Sequence, residues 1–415
     1  ATDFLTGVTA VKRALAAILV LAALAAPLSG CASIFDQEYL TIEDYAESTA
    51  SPQQPEGTVA VQNYLELKLA INKLVTAHEE RGSLDFSGYD GENIRDDLAS
   101  ACNDVRSETA LAAYAVDYIS YDLDRLVSYY EAEVFIYYLH TAEELDAIVS
   151  TGTVSGLNDA ISAALDEMST GLVVMVNASG ASEAEVADYV TEAYFADPLS
   201  CVNRPVADVT MYTGGGLQRI YEISLDYGAS SPTLSSRKDI LEGDLEELAA
   251  RVTAKGSAYR ALQAATVIME SCRSDAEAGN TFWDAVHLGK ANSEGMALAL
   301  KALCDKVGVE CLVVSGRLDR AEHYWNIITV DGASYHVDVS AAAELGLAGT
   351  FLISDSDMWG HYWWDNERYP QCEGSLSYSA LTEETSEPEP ETSPDAVSPS
   401  PSPSEEPDAE NSQSP

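Results

Sequence analysis

The sequence predicts an α+β protein, on three observations. Segments of helical period and segments of strand period follow one another in an order that occurs twice, displaced by roughly ninety residues. Further along, a helix with one apolar face begins at Ser293 and is followed by a short buried strand, residues 311–316. Asp331-Gly332 then joins two β-rich runs, the strongest short hairpin signal a sequence carries.

With 415 residues the chain has room for two or three domains, and its formal charge is −46. The tail after Leu381 holds ten acids and no bases, which leaves the remainder acidic as well. Such a chain is repelled by phosphate backbones and anionic headgroups, so nucleic acid is not expected as a partner. Apart from the extreme N-terminus, no apolar run approaches the ~18–20 residues of a bilayer span.

At the N-terminus, Lys12 and Arg13 precede an apolar run over residues 14–27, the layout of a secretory signal. The run ends in Leu28-Ser29-Gly30-Cys31, which resembles the lipobox of bacterial lipoproteins. That resemblance implies a signal peptide over residues 1–30, acylation of Cys31, and a lipid anchor holding the protein on the extracytoplasmic face of a bacterial membrane. An ordinary signal peptide or short anchor helix has the same charged-then-apolar layout. Residues 31–60 are polar and contain Ser51-Pro52-Gln53-Gln54-Pro55, a tether. Residues 381–415 run through Glu-Pro and Ser-Pro repeats that have nothing apolar to bury, so disorder is expected, as a solvated extension or a wall spacer.

The repeated order spans residues 61–150 and 151–236. Ala70-Ile71 and Ala160-Ile161 open helical stretches, and Ser83-Leu84-Asp85-Phe86 and Gly171-Leu172-Val173-Val174 read as extended pieces. Second helices follow at residues 93–102 and 183–194, and two strands close each copy, the later ones at 133–138 and 222–227. Order and spacing, rather than identity, point to a duplicated α+β module; two ordinary α+β segments in series would look the same. Neither copy gathers acids, His and Cys in a catalytic pattern, which leaves them as scaffold or binding surface.

Residues 237–380 carry the chemistry. From Ser293, Met296, Ala299, Leu300, Leu303, Cys304 and Val307 share a helical face, and Gly308 stops the helix. A polar loop is expected between the 311–316 strand and His323. A two-residue Asp331-Gly332 turn pairs Val330 with Ala333, which sets Asp338 opposite Trp325 and one diagonal step from His323 on the same face. An acid beside an imidazole is the arrangement that orients a base for nucleophilic catalysis. A register slip of one residue would separate them.

Gly289-Lys290-Ala291-Asn292-Ser293-Glu294-Gly295-Met296-Ala297, His323-Tyr324-Trp325-Asn326 and Tyr335-His336-Val337-Asp338 together resemble the bacterial transglutaminase-like domain, related to papain-type thiol enzymes. Phe351-Leu352-Ile353-Ser354-Asp355 and Tyr369-Pro370-Gln371-Cys372 resemble its closing segments. The resemblance implies a papain-like fold and a triad of Ser293 as nucleophile, His323 as base and Asp338 as orienting acid. Trp283, Trp325 and Asn326 are expected to line the cleft. Three departures stand out: Ser293 replaces the family's cysteine, Met296 its tyrosine, and Ser340-Ala341 its Thr-Trp. A thiol enzyme works because a helix N-terminus and an imidazolium stabilise a thiolate in advance, and a serine hydroxyl cannot be ionised that way. Ser293 therefore reads first as a helix cap alongside Asn292. The chain reads as a degenerate cleft binding peptides or peptidoglycan stems at the cell surface; an active Ser-His-Asp hydrolase or acyltransferase is the rival, and a purely structural surface protein a third reading.

No cofactor or metal is expected, because His78, His140, His287, His336 and His361 are scattered without a zinc spacing and residues 90–97 lack an EF-hand spacing. Cys102, Cys201, Cys272, Cys304, Cys311 and Cys372 permit up to three disulfides in an exported protein, or serve as buried thiols. Trp359, Tyr362, Trp363, Trp364 and Tyr369 are either groove or packing.

Overall fold

A computed structural model describes residues 57–384 apart from Ser179. The expected signal peptide, Cys31, nearly all of the tether and the tail beyond residue 384 lie outside the described residues. Among the described residues no helix is long and apolar enough to cross a membrane.

Two four-stranded sheets of one design come first. Thr58–Ala60 (β1) pairs parallel with Arg81–Asp85 (β2), and the helix Tyr64–Thr76 (α1) runs between them. β1 corrects the end of the tether, since three residues are too few for alternation to register. The helix Ile94–Glu108 (α2) leads to the hairpin of Val116–Arg125 (β3) and Tyr130–Tyr138 (β4), in the strand order β1-β2-β4-β3. Val149–Thr151 (β5), Val154–Asp166 (α3), Gly171–Val176 (β6), Glu183–Ala196 (α4), Val206–Thr213 (β7) and Arg219–Asp226 (β8) follow, in the order β5-β6-β8-β7. Local chemistry starts each helix. Asn63, Asn93 and Thr153 accept a backbone N–H of the first turn, and Ser182 with Glu185 forms a reciprocal box. Alternate residues Ala132, Val134 and Ile136 of β4 face inward.

The helix Ser231–Ala250 (α5) buries Leu234, Leu241 and Leu245 on one face. The sequence places a domain boundary just before it, but the buried apolar side chains do not divide there. One continuous cluster runs from Leu157 and Tyr221 through Leu241 and Ala264 to Leu298, Ile328 and Phe351. The first sheet has its own cluster, Val61 to Leu145 with Ile220. The second sheet and the C-terminal region therefore share a core.

After the helix Ser257–Ser271 (α6) come two short paired strands, Arg273–Ser274 (β9) and Lys290–Ala291 (β10), and the helix Ser293–Val307 (α7). α7 is buried from Glu294 to Cys304 and ends at Gly308, whose φ of 72° is left-handed. It packs on Glu310–Leu318 (β11) and Ala321–Val330 (β12). With Ala333–Val337 (β13), Phe351–Ile353 (β14) and Tyr362–Trp363 (β15), these form a five-stranded sheet in the order β14-β13-β12-β11-β15. Asp331 and Gly332 turn at φ 52° and 80°, and Val330 stands opposite Ala333, the register that the two-residue turn requires. The expected polar loop before His323 is instead a second tight hairpin. Leu318 pairs with Ala321 through Asp319 and Arg320, at φ 47° and 79°. Arginine is seldom found at positive φ, so this turn leaves no sequence signal.

Candidate active site

Asp338 is the anchor of the site. It is 2% exposed and accepts five hydrogen bonds. Its Oδ1 takes the Ser340 amide at 3.0 Å, the Ser340 hydroxyl at 2.8 Å and the Ala341 amide at 2.9 Å. Its Oδ2 takes His323 Nε2 at 2.6 Å and the Tyr362 hydroxyl at 2.8 Å. Burial alone would push this carboxyl up. The bond from His323 and those from the Ala341 amide and Ser340 outweigh it and hold the pKa below the usual value. The Tyr362 phenol is pushed well up, by burial and by the neighbouring carboxylate.

His323 reaches Asp338 because β12 and β13 keep the hairpin register beyond their last pair, Asn326 with Val337. Bonding through Nε2 leaves Nδ1 as the ring nitrogen available to a reacting group. The ring packs 6.2 Å from Trp325 and 5.9 Å from Tyr362, which hold its plane. Ser293 is the first residue of α7. The cap of that helix is Asn292, whose side chain accepts Gly295 N–H, so Ser293 is not a capping residue. Its hydroxyl accepts the Tyr324 amide at 3.3 Å, from a residue with no β13 partner. Ser293, His323 and Tyr362 line one cleft of about 670 Å³, together with Asn292, Glu322 and Ser340.

Beside Ser293 lies an ion pair between a buried acid and a half-buried base from another part of the fold. Glu294, 3% exposed, accepts Asn280 at 2.8 Å and stands 3.2 Å from Arg204 in the segment before β7. Burial raises the Glu294 carboxyl, and Arg204 and Asn280 only partly offset this. Sequence spacing offered no sign of Arg204, which arrives from the second sheet. Tyr362 and Ser340 are equally hidden as partners of Asp338, since neither the aromatic cluster nor the step after Asp338 carries a sequence signal for these bonds.

Trp325, Asn326 and Trp283 do not line the cleft. Trp325 is 1% exposed and packs beneath His323, its indole N–H donating to His336 at 2.9 Å. Asn326 is fully buried and donates to the carbonyls of Ala297 and Leu312, tying α7 to β11. Trp283 lies against His287 and under Arg237. Tyr362 alone of the aromatic group lines the cleft, while Trp364 and Tyr369 pack on the cluster around Trp325. The six described cysteines are all unpaired and buried.

His336, Asp355 and Cys372 place ligand atoms within 4.8 Å of one another. They do not suit a metal. A metal-binding histidine donates its second N–H to a neighbour, whereas His336 Nδ1 accepts from Trp325 and Nε2 faces Asp355 at 2.9 Å. Burial pushes the Cys372 thiol up to about 12, far from a thiolate ligand.

No family model and no curated protein matches the chain. Among solved structures, it is similar to a TGase at 10% identity and a TM-score of 0.24, over 41% of this chain and 51% of that one. It is similar to a candidate cysteine protease from Cytophaga hutchinsonii at 8% identity and 0.23, over 32% and 62%. A candidate protease from Parabacteroides distasonis stands at 8% and 0.21, over 51% and 49%. The chain thus spans about half to three fifths of these structures, and likenesses this weak say nothing about activity.

Proposed function

We propose that the protein is a catalytically degenerate relative of transglutaminase-like thiol enzymes that binds peptides, or peptidoglycan stems, in the cleft above His323, as a lipoprotein at the bacterial cell surface. The observation that carries this reading is the bonding of Ser293. Its hydroxyl is held by the Tyr324 amide, and no hydrogen bond joins it to His323 among the described residues. The dyad of His323 and Asp338 is complete without it. A serine needs its proton drawn off by the base during attack, and here the base has no hold on that proton. The cleft itself offers an imidazole, a backbone-rich helix start and a polar wall, enough to orient a peptide amide.

The rival, an amide hydrolase or acyltransferase through Ser293, is supported by one specific feature. The free Nδ1 of His323 and the Ser293 hydroxyl open into the same cleft, and apo geometry often tightens when substrate binds. A fluorophosphonate probe separates the two. Degeneracy predicts no covalent adduct at Ser293 by mass spectrometry, together with saturable peptide binding that His323→Ala weakens. A stoichiometric adduct at Ser293 overturns it in favour of the rival.

A further inference from the structure

Next to the cleft, sharing Glu322 with it, lies an open groove of about 760 Å³. Strand register builds it. Arg317 on β11 pairs with Glu322 on β12 and with Trp363 on β15, so the three side chains stand in one row on one face. Arg320 adds a second guanidinium from the β11–β12 turn, and Asp365 closes the wall. Trp363 is 57% exposed. Gly316 allows β15 to lie this close, since a Cβ there would meet the Trp363 carbonyl at 2.4 Å.

Two features set the groove apart from ordinary surface. Neither Arg317 nor Arg320 has an ion-pair partner among the described residues, although Glu322 stands directly across from Arg317. The Glu322 carboxylate instead accepts the Tyr324 hydroxyl at 2.7 Å. Arg320 also occupies φ 79°, where glycine or asparagine would turn the chain without strain. An arginine held there serves its side chain, not the turn.

The lining chooses the ligand class. Two guanidiniums against two carboxylates leave the groove near neutral, so it selects no strong ion. Guanidinium donors and carboxylate acceptors lining one groove suit vicinal hydroxyls, and an exposed indole suits the C–H face of a sugar ring. We infer that this groove binds a saccharide ring. With a peptide in the adjoining cleft, the full ligand is a glycan that carries a peptide; that second step rests on the peptide-binding reading above, and the first does not.

The test is calorimetric titration of the full chain with chitotetraose and cellotetraose, and separately with a glutamate-rich peptide. At least one oligosaccharide should bind, and Trp363→Ala should weaken it tenfold or more. Arg320→Gly should weaken it several-fold while the melting temperature stays level or rises, because the turn strain is relieved. Failure of both oligosaccharides to bind overturns the inference, as does binding that both variants leave unchanged. Trp363-dependent capture of the acidic peptide alone would assign the groove to anions and overturn it too. Saccharide binding together with a stoichiometric fluorophosphonate adduct at Ser293 would refute the reading of the cleft and leave this one standing.

Discussion

Asp338→Asn should cost the fold about 2–3 kcal/mol and silence His323, and the size of that loss follows from the five bonds the carboxylate accepts. Oδ1 receives two backbone amides, which can only donate, so the asparagine carbonyl must take its place. The new NH2 then faces the Tyr362 hydroxyl and His323 Nε2. Tyr362 can turn to accept, and His323 can accept at Nε2 if its proton moves to Nδ1. Every group keeps a partner, and what is lost is charge: bonds to an ionised group contribute ~1.5–3 kcal/mol against ~1 for neutral ones. Relief of the buried charge offsets part of that difference. Asp338→Ala strands the two amides, the Ser340 hydroxyl and the imidazole, and should cost ~4–5 kcal/mol. Urea denaturation followed by far-UV circular dichroism measures both. The wild-type carboxyl lies below its ordinary value, so its stabilisation is present above the unfolded pKa of ~3.9. It fades as pH falls through the folded value, and the gap between wild type and Asp338→Asn should close with it. Equal losses for Asn and Ala, or no loss for either, would refute this account of the site.

Four further outcomes are expected. Ser293→Cys puts a thiol at a helix N-terminus beside an oriented imidazole, so iodoacetamide should label position 293 at mildly acidic pH, below the free thiol value of ~8.5; Asp338→Asn in that background should slow it, and labelling like a free cysteine would mean that His323 does not activate a thiol at this position. Arg204→Met leaves Glu294 buried without its cation and should cost ~3 kcal/mol at neutral pH, with the loss shrinking as the pH falls and Glu294 takes a proton; a pH-independent loss in thermal melts would contradict the pairing. Burial holds the His336 pKa below its ordinary ~6.5, so the unfolded chain takes the proton first and stability should fall as pH drops below ~6.5, a slope that His336→Gln removes. Cys31→Ser should release an exported form from the detergent phase, and a mature-mass protein still partitioning with detergent would remove the lipid anchor from the proposal.

The parts of this molecule that sequence made legible are those written in short-range chemistry. The Asp331-Gly332 turn carries its own register, and from it the meeting of His323 with Asp338 follows by counting. Capped helices such as α4 and α7 announce their starts. What stayed hidden depends on contacts between distant segments. Arg204 reaches Glu294 across ninety residues of chain only because the second sheet shares its core with α7. Trp325 and Asn326 were misplaced because a motif names residues without saying which way they face. On β12 these two point to opposite sides of the sheet, Trp325 into the cluster beneath the dyad and Asn326 toward α7.

The dyad of His323 and Asp338 is by itself weak testimony for catalysis. Asp338 satisfies two backbone amides at the exit from β13 whether or not any reaction occurs, and its loss would leave them buried and unpaired. His323 and Tyr362 fill the other oxygen and cover Trp325, so both have a structural role whether or not any reaction occurs. Ser293 too has a structural task, since its hydroxyl takes the amide of Tyr324, a residue with no β13 partner. A thiol at that position would accept the amide more weakly, because sulfur is the poorer acceptor. Serine at position 293 thus keeps a hydrogen bond that a thiol there would weaken. Ser293→Cys should accordingly lower stability by about 0.5–1 kcal/mol while making position 293 alkylatable, the value of one neutral hydrogen bond weakened. If the variant were as stable as the wild type in urea titrations, the Tyr324 contact would be idle and the Ser293 hydroxyl would have no structural task.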